Sequence, residues 1–476
     1  MSKKYLMGID EGSQSAKITV FDLEGNIICE GTAALRPYDL PRPGYVEHPD
    51  DDWWYAICKA SRNCMENFTG DPADILGIGL CTIRCCRAYL KEDCTLAQPA
   101  LSWMDIRLSR PYTHENPEIK YITASSGYIT YRLTGEKKDT ISNYEYGWPV
   151  DVDRWKWSDD PAAYESTGIP RDMLFDLVMP GEILGYITEE AADATGLPAG
   201  VPLVATGNDK AVEGLGTGCM GPTTACISLG TYTTAMMEGT ENLKGTSYTW
   251  PKFSSIPYKY LYDSNGIRRG MWTVSWFRDV LGDGYQMLAE EKGLSAEELL
   301  GLEAENVPVG SDGLMTVLNW LATPDARYQK GIMIGFDGRH TRAHIYRSIL
   351  EAVALTIRKH VEDMCGEVGT TLDKMIITGG GANSDLFMQI FADVLNMQVI
   401  RNKVNGAAGL GSAICAAVAT GVYDSFESAV EHMVHVRDYF EPIPEHNKIY
   451  NNMMPVYHSI TQYTDPLLKQ TYELFE

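Results

Sequence analysis

Two aspartates stand where chemistry is expected. Asp10 closes an apolar run over 5–9 and is followed by Glu11-Gly12-Ser13-Gln14-Ser15. Asp209 lies in Thr206-Gly207-Asn208-Asp209-Lys210-Ala211, directly after the apolar run 202–205. Acidic residues at the carboxyl end of a strand sit where open α/β sheets bind ligands. Taken alone, an Asp that opens a helix reads as an N-cap. Taken together, two such carboxylates suit a hard divalent cation and a base toward a hydroxyl.

Three glycine turns follow apolar runs, at Gly12, at Gly230 and at Gly379-Gly380-Gly381. Glycine lets backbone N–H groups approach phosphate oxygens with no Cβ in the way. One such turn carries little weight, because turns need glycine anyway. Three, each beside a hydroxyl or an amide (Ser13, Thr231, Asn383), point to a nucleotide. Gly216-x-Gly218-x-x-Gly221 is formally a dinucleotide fingerprint, but it follows a helix-like stretch and is read as accidental. No Gly-Lys-Ser/Thr occurs, so a P-loop is excluded. Arg84, Trp103 and Asp105 combine donors, an aromatic face and an acceptor, a mix that suits a small polyhydroxylated ligand. The alternative is a buried Trp with surface ion pairs.

These residues need a scaffold, and 476 residues suit two or three domains. The N-terminus reads as an antiparallel meander over 5–10, 17–22 and 27–30, with a further strand over 75–80. A similar hairpin recurs over 225–229 and 232–237, and hints at an internal duplication that sets two turns face to face. The apolar stripe Ile345, Ile349, Leu350, Val353, Ile357, Val361 and Met364 predicts a long helix over 343–365. Strand 375–378, the third glycine turn and a helix over 384–395 follow. Strands alternate with helices throughout, so the class is α/β. Gly239, Gly245 and Pro251 suggest a boundary near 238–251, which divides the chain into 1–245 and 246–476, with closing helices from about residue 425. The stretches 214–237 and 404–423 carry no charge, and both read as buried backbone close to a ligand.

The net charge is −24, from 40 Lys and Arg against 64 Asp and Glu. That balance opposes nucleic acid and anionic membrane. Eleven scattered cysteines read as reduced thiols of a cytoplasmic protein. Cys81, Cys85 and Cys86 lack zinc spacing.

Several motifs together resemble the FGGY family of sugar and polyol kinases. They are Gly8-Ile9-Asp10-x-Gly12-Ser13-x-Ser15-x-Lys17, Pro43-Gly44-Tyr45-Val46-Glu47-His48 and Trp103-Met104-Asp105-x-Arg107. Gly207-Asn208-Asp209-x-Ala211, Ser228-Leu229-Gly230-Thr231, Gly331-x-Met333-x-Gly335-Phe336 and Gly379-Gly380-Gly381-Ala382-Asn383-Ser384 continue the match. The resemblance implies an actin-like (ribonuclease H-like) fold of two duplicated domains around a cleft. It implies ATP- and Mg²⁺-dependent phosphorylation of a sugar, polyol or sugar acid, with a ketopentose such as xylulose foremost. Asp209 would be the base, and Asp10 with Asp209 would face Mg²⁺. Gly12, Ser13, Gln14 and Lys17 would line the phosphates from one side, Gly230 and Thr231 from the other. Gly379, Gly380, Gly381, Ala382 and Asn383 would hold the adenosine. Arg84, Trp103, Asp105 and Asn208 would line the acceptor pocket. Four departures stand out: Ser13 for the usual Thr, a charge at Glu11, Lys210 after the expected base, and a short segment after Arg107 that lacks the family's Lys-x-x-Trp motif. The short segment keeps open a second reading, a catalytically degenerate binder of nucleotide or sugar. Apolar residues over 449–475 could pack against a second copy as a homodimer.

Overall fold

The computed structural model describes residues 3–323 and 325–475. Two mixed sheets organise the chain. The first contains β1 (Tyr5–Glu11), β2 (Ser15–Asp22), β3 (Ile27–Ala34), β4 (Ile75–Thr82), β5 (Ile183–Tyr186) and β6 (Pro202–Asn208), in the order β5-β6-β4-β1-β2-β3. β1, β2 and β3 form the expected antiparallel meander, and β4 and β6 add in parallel. β1 is buried along its length except at the half-buried Asp10, an apolar strand covered on both faces as a central position requires. One cover is α1 (Asp52–Asn67), which buries Trp53, Trp54, Ile57, Ala60 and Cys64 on the face its apolar spacing predicts.

The second sheet repeats the plan. β7 (Thr224–Leu229), β8 (Thr233–Gly239), β9 (Thr249–Phe253), β10 (Tyr260–Ser264), β11 (Lys374–Thr378), β12 (Val399–Asn402) and β13 (Val436–Phe440) run in the order β9-β10-β8-β7-β11-β12-β13. β7 and β8 pair antiparallel as β1 and β2 do, and β11 and β12 add in parallel as β4 and β6 do. An antiparallel edge strand closes each sheet, β5 on the first and β13 on the second. The duplication suspected from the two hairpins is therefore sheet-deep, and the class is the expected α/β, actin-like one.

The boundary expected near 238–251 is corrected. β7 and β8 already belong to the second sheet, so the chain changes lobes between Asn208 and Thr224. Gly239 ends β8 and Pro251 lies within the edge strand β9, so only Gly245 falls in a connection, and that connection joins two strands of the second sheet. The long helix extends a little beyond expectation, as α4 (Arg342–Val368), and Gly369 ends it at φ 73°. Gly216-x-Gly218-x-x-Gly221 begins at the end of a helix rather than after a strand, as read.

The uncharged stretch 404–423 is largely buried, as expected: over Ala407–Ala419 it forms a helix that packs under the first lobe. A side chain at Gly8 would run into the Gly409 carbonyl, and one at Gly79 into the Ser412 carbonyl. Main chain thus meets main chain, which only glycine permits. The chain closes on a helix over Pro444–Phe475. Its Tyr450, Met454, Tyr457 and Ile460 are buried in the second lobe, whereas Tyr463, Leu467, Leu474 and Phe475 are exposed. Part of the apolar set offered to a second copy is thus used by the chain itself.

Candidate active site

Asp10 ends β1, and α2 (Asp209–Gly216) starts at Asp209 immediately after β6. The register sets Asp10 opposite Cys81, and Thr82 opposite Asn208, so both carboxylates share one sheet edge. The N-cap of α2 is Asn208, not Asp209. Its side-chain oxygen accepts from the Lys210 and Ala211 amides at 3.1 Å each. Asp209 is therefore released from capping, and its Oδ1 accepts one backbone bond, from Lys210 at 3.0 Å.

Burial, with Asp209 and Glu213 nearby, raises the Asp10 carboxyl from 3.8 to about 7, against the pull of Lys17 and Lys210. Lys210 Nζ donates to Glu213 at 2.8 Å and to Ser228 on β7 at 2.6 Å. Burial works against its charge, and Glu213 and Asp209 outweigh it, so Lys210 stays protonated. Lys210 thereby ties the first lobe to the strand that leads into the Gly230 turn. Glu11 departs from expectation: it is wholly buried, and desolvation backed by Asp10, Asp52 and Asp209 drives its carboxyl well above the usual range. It puts no charge beside the turn.

The turns are open toward an approaching group. A side chain at Gly12 would meet the Ser15 carbonyl at 3.5 Å, one at Gly230 the Tyr232 carbonyl at 3.6 Å, and one at Gly380 nothing within 4 Å. Ser13 is half-buried and Gln14 exposed. Lys17 Nζ pairs with Glu30 at 2.5 Å. Thr231 is exposed, and its carbonyl accepts from the Gly270 amide. In the third turn, Gly379 has φ 90°, and a Cβ there or at Gly381 would press on Leu229. Ala382 is buried, and its carbonyl takes Arg401 at 2.9 Å. Gly380 and Asn383 are the exposed members. Asn405 pins this turn, accepting from Gly379 N and donating to Gly379 O, both at 2.9 Å. Nothing in the sequence singled it out.

The acceptor-side residues divide. Arg84 Nη2 reaches Asp263 on β10 at 3.1 Å, while its Nη1 is buried and has no partner among the described residues. Lys252 on β9 lies 3.5 Å from Glu145 and 3.7 Å from Asp263. Burial opposes both cations, and Asp263 and Glu145 keep them charged. Trp103 is 47% exposed, not buried. Asp105 is spent on structure: it accepts from Val46 N at 2.7 Å and Arg107 N at 2.8 Å, with the Arg107 guanidinium at 2.6 Å. It braces the loop that presents Trp103. Asn208 is spent likewise, since its amide also donates to the Ser142 carbonyl. Neither offers a free group to an acceptor, because the backbone has already taken their hydrogen-bonding capacity. Lys252, Asp263, Glu145 and Glu213 were not anticipated, and Ser228 stood in a quoted motif without a role of its own. Of these, only Glu213, one helical turn after Asp209, had a spacing signal.

No group of three or more His, Cys, Asp or Glu is arranged to hold a metal among the described residues. Mg²⁺ commonly takes one or two carboxylates and completes its shell with phosphate and water, a donor set that Asp10 and Asp209 would supply. Asp10 resists ionising first because it is buried and then because Asp209 and Glu213 lie close, and a divalent cation held there would offset that charge.

A family model described as the N-terminal domain of the FGGY family of carbohydrate kinases matches residues 5–116 and 108–216; the C-terminal domain model matches 225–420. The first match breaks at the short segment after Arg107. A protein of Escherichia coli (strain K12) named uncharacterized sugar kinase YgcE is 52% identical over 475 residues, covering 100% of this chain and 96% of that one. The xylulose kinase of Rhodospirillum rubrum superposes with a TM-score of 0.80 at 22% identity, over 98% of this chain and 100% of that one. The gluconate kinase of Lactobacillus acidophilus does so at 0.82 and 15%, over 99% and 100%. No helix among the described residues is long and apolar enough to cross a membrane.

Proposed function

Because this chain belongs to the FGGY family of carbohydrate kinases and is itself a carbohydrate kinase, we propose that it transfers the γ-phosphoryl group of ATP to a hydroxyl of a small sugar or polyol, a ketopentose such as xylulose foremost. The observation that carries this reading is the release of Asp209 from capping duty by Asn208, at a sheet edge shared with Asp10. Asp209 accepts the proton of the attacking hydroxyl. Asp10, with Asp209, holds Mg²⁺, which when bound would neutralise charge on the phosphates. Ser13 on one lobe, and Gly230 and Thr231 on the other, offer backbone N–H groups to the phosphates, while Gly12, whose own N–H donates to the Ser15 carbonyl, keeps a Cβ out of their path. Gly380 and Asn383 border the adenosine. Trp103 and Arg84 line the acceptor side. Eleven free cysteines support a cytoplasmic setting.

A second acceptor, a sugar acid, is favoured by one specific feature. Arg84 Nη1 is buried without a partner among the described residues and Lys252 stands on the same Asp263 carboxylate, so a substrate carboxylate would complete the set. ADP release measured on a panel of pentuloses, hexuloses, polyols and aldonates separates these readings. A pentulose or an aldonate turning over well above the rest assigns the acceptor, and no acceptor-stimulated ADP release from any member overturns the proposal.

A further inference from the structure

On the far side of the Gly230 turn, the second lobe carries a cavity of about 270 Å³, set between α4, the C-terminal helix and the loops 266–268 and 317–323. None of its described lining residues is acidic, although Asp363 and Asp465 bond to two of them, Lys359 and Gln329. Two imidazoles line it, from His360 on α4 and His458 on the C-terminal helix. His360 Nδ1 and His458 Nε2 are both buried and lack a partner among the described residues. Desolvation brings His360 down to about 4 and lowers His458 as well, so at neutral pH both rings are hydrogen-bonding groups rather than charges. Positive charge enters through Arg268, which is exposed and fixed by a 2.8 Å bond from Nη1 to the Ala322 carbonyl; Lys359 at the rim is already paired with Asp363. Unsatisfied polar atoms inside a hollow are expensive unless a ligand or water meets them.

The hollow is coupled to the candidate nucleotide site by main chain. Ile267 and Thr233 exchange hydrogen bonds of 3.1 and 2.8 Å, Gly270 N donates to Thr231 O at 2.9 Å, and Met271 N donates to Gly230 O at 3.2 Å. A group that bears on Arg268 therefore bears on the Gly230–Thr231 turn.

We propose that this cavity is an effector site for a small phosphate ester of a polyhydroxylated compound, and that its occupancy alters nucleotide affinity through the loop 266–271. The phosphate lies against Arg268, and the hydroxyls meet the two imidazoles and Asn319.

The test titrates ribose 5-phosphate into the full chain by calorimetry, with the cleft filled by β,γ-imido-ATP and Mg²⁺, and uses ribose as the uncharged control. Saturable single-site binding is expected, with ribose at least about tenfold weaker. Arg268→Ala and His458→Ala should each weaken the sugar phosphate about tenfold; Arg268 is exposed, so its removal leaves the fold intact. The nucleotide analogue should bind at least about threefold differently with the probe present, and the converse factor should match. No saturable binding, equal binding of ribose, or an affinity untouched by Arg268→Ala overturns the site. An unchanged nucleotide affinity overturns the coupling. Neither readout requires turnover, so the result stands whatever the acceptor proves to be.

Discussion

Arg84 donates to Asp263 at 3.1 Å across 179 residues of sequence. Arg84 follows the fourth strand of the first sheet, and Asp263 lies on a strand of the second. The pair is buried and bridges the lobes on the acceptor side. It leaves one guanidinium nitrogen without a partner among the described residues.

Arg84→Ala should therefore raise the acceptor KM at least about tenfold, since bonds to a charged group are worth about 1.5–3 kcal/mol. KM for ATP should change less than about threefold. Arg84→Lys should recover little, because a point charge cannot serve Asp263 and a substrate together. Steady-state kinetics with each substrate varied in turn would read both effects, and an unchanged acceptor KM in the alanine variant would remove Arg84 from the pocket.

Asp209→Asn should keep nucleotide binding and lose turnover by about 10²–10⁴, the range for a lost proton acceptor. Calorimetry with ATP and coupled ADP release would be run on the same sample. Near-normal turnover would exclude Asp209 as the base.

The Asp10 carboxyl, raised to about 7 by burial and by Asp209 and Glu213, sets a direction with pH. Its folded-state value lies above its unfolded one, so the folded protein holds the extra proton. Stability without ligand should then fall as pH rises from about 4 to about 7. Mg²⁺-nucleotide binding should strengthen over the upper part of that window, because the metal takes the ionised form. Asp10→Asn should flatten both trends, raise the melting temperature at about pH 8 by a few degrees, and abolish the Mg²⁺ dependence of nucleotide affinity. A variant that keeps the wild-type slopes would refute the assignment.

Lys210 is one of the two cations that hold the Asp10 value down. Lys210→Met should push the acid limb of the kcat/KM profile toward higher pH, and should loosen the link to Ser228. A uniform drop in rate with the limb unmoved would instead mark a purely structural residue.

Gly8→Ala should cost about 1–3 kcal/mol in urea denaturation, since the added methyl meets the Gly409 carbonyl and neither backbone can yield. Gly301→Ala is the control. It lies in the helix Ala296–Ala304 with nothing within 4 Å of the new carbon, and should be neutral or stabilising by about 0.5–1 kcal/mol.

What could be read from the residues alone was local. Asp10, Gly12, Asp209 and Gly230 sit at strand ends, and the pattern of apolar run, polar residue and glycine is contiguous in sequence. Lys252, Asp263 and Glu145 were invisible because they meet Arg84 only after strands from two sheets come together. Asp105 and Asn208 looked available because a polar side chain in a loop reads the same whether its partner is a ligand or the backbone beside it. The lobe boundary was misplaced for a related reason: glycine and proline occur at strand ends and in edge strands, as Gly239 and Pro251 do, as well as between domains.

The helix Ala407–Ala419 lies beneath a sheet built almost four hundred residues earlier, and Tyr423 and His435 go on to hydrogen-bond Leu23 and Glu24. The halves are thus interwoven. A nick between residues 217 and 223 would leave the two pieces associated, yet the leading fragment made alone would be missing its underside and should be found in the insoluble fraction.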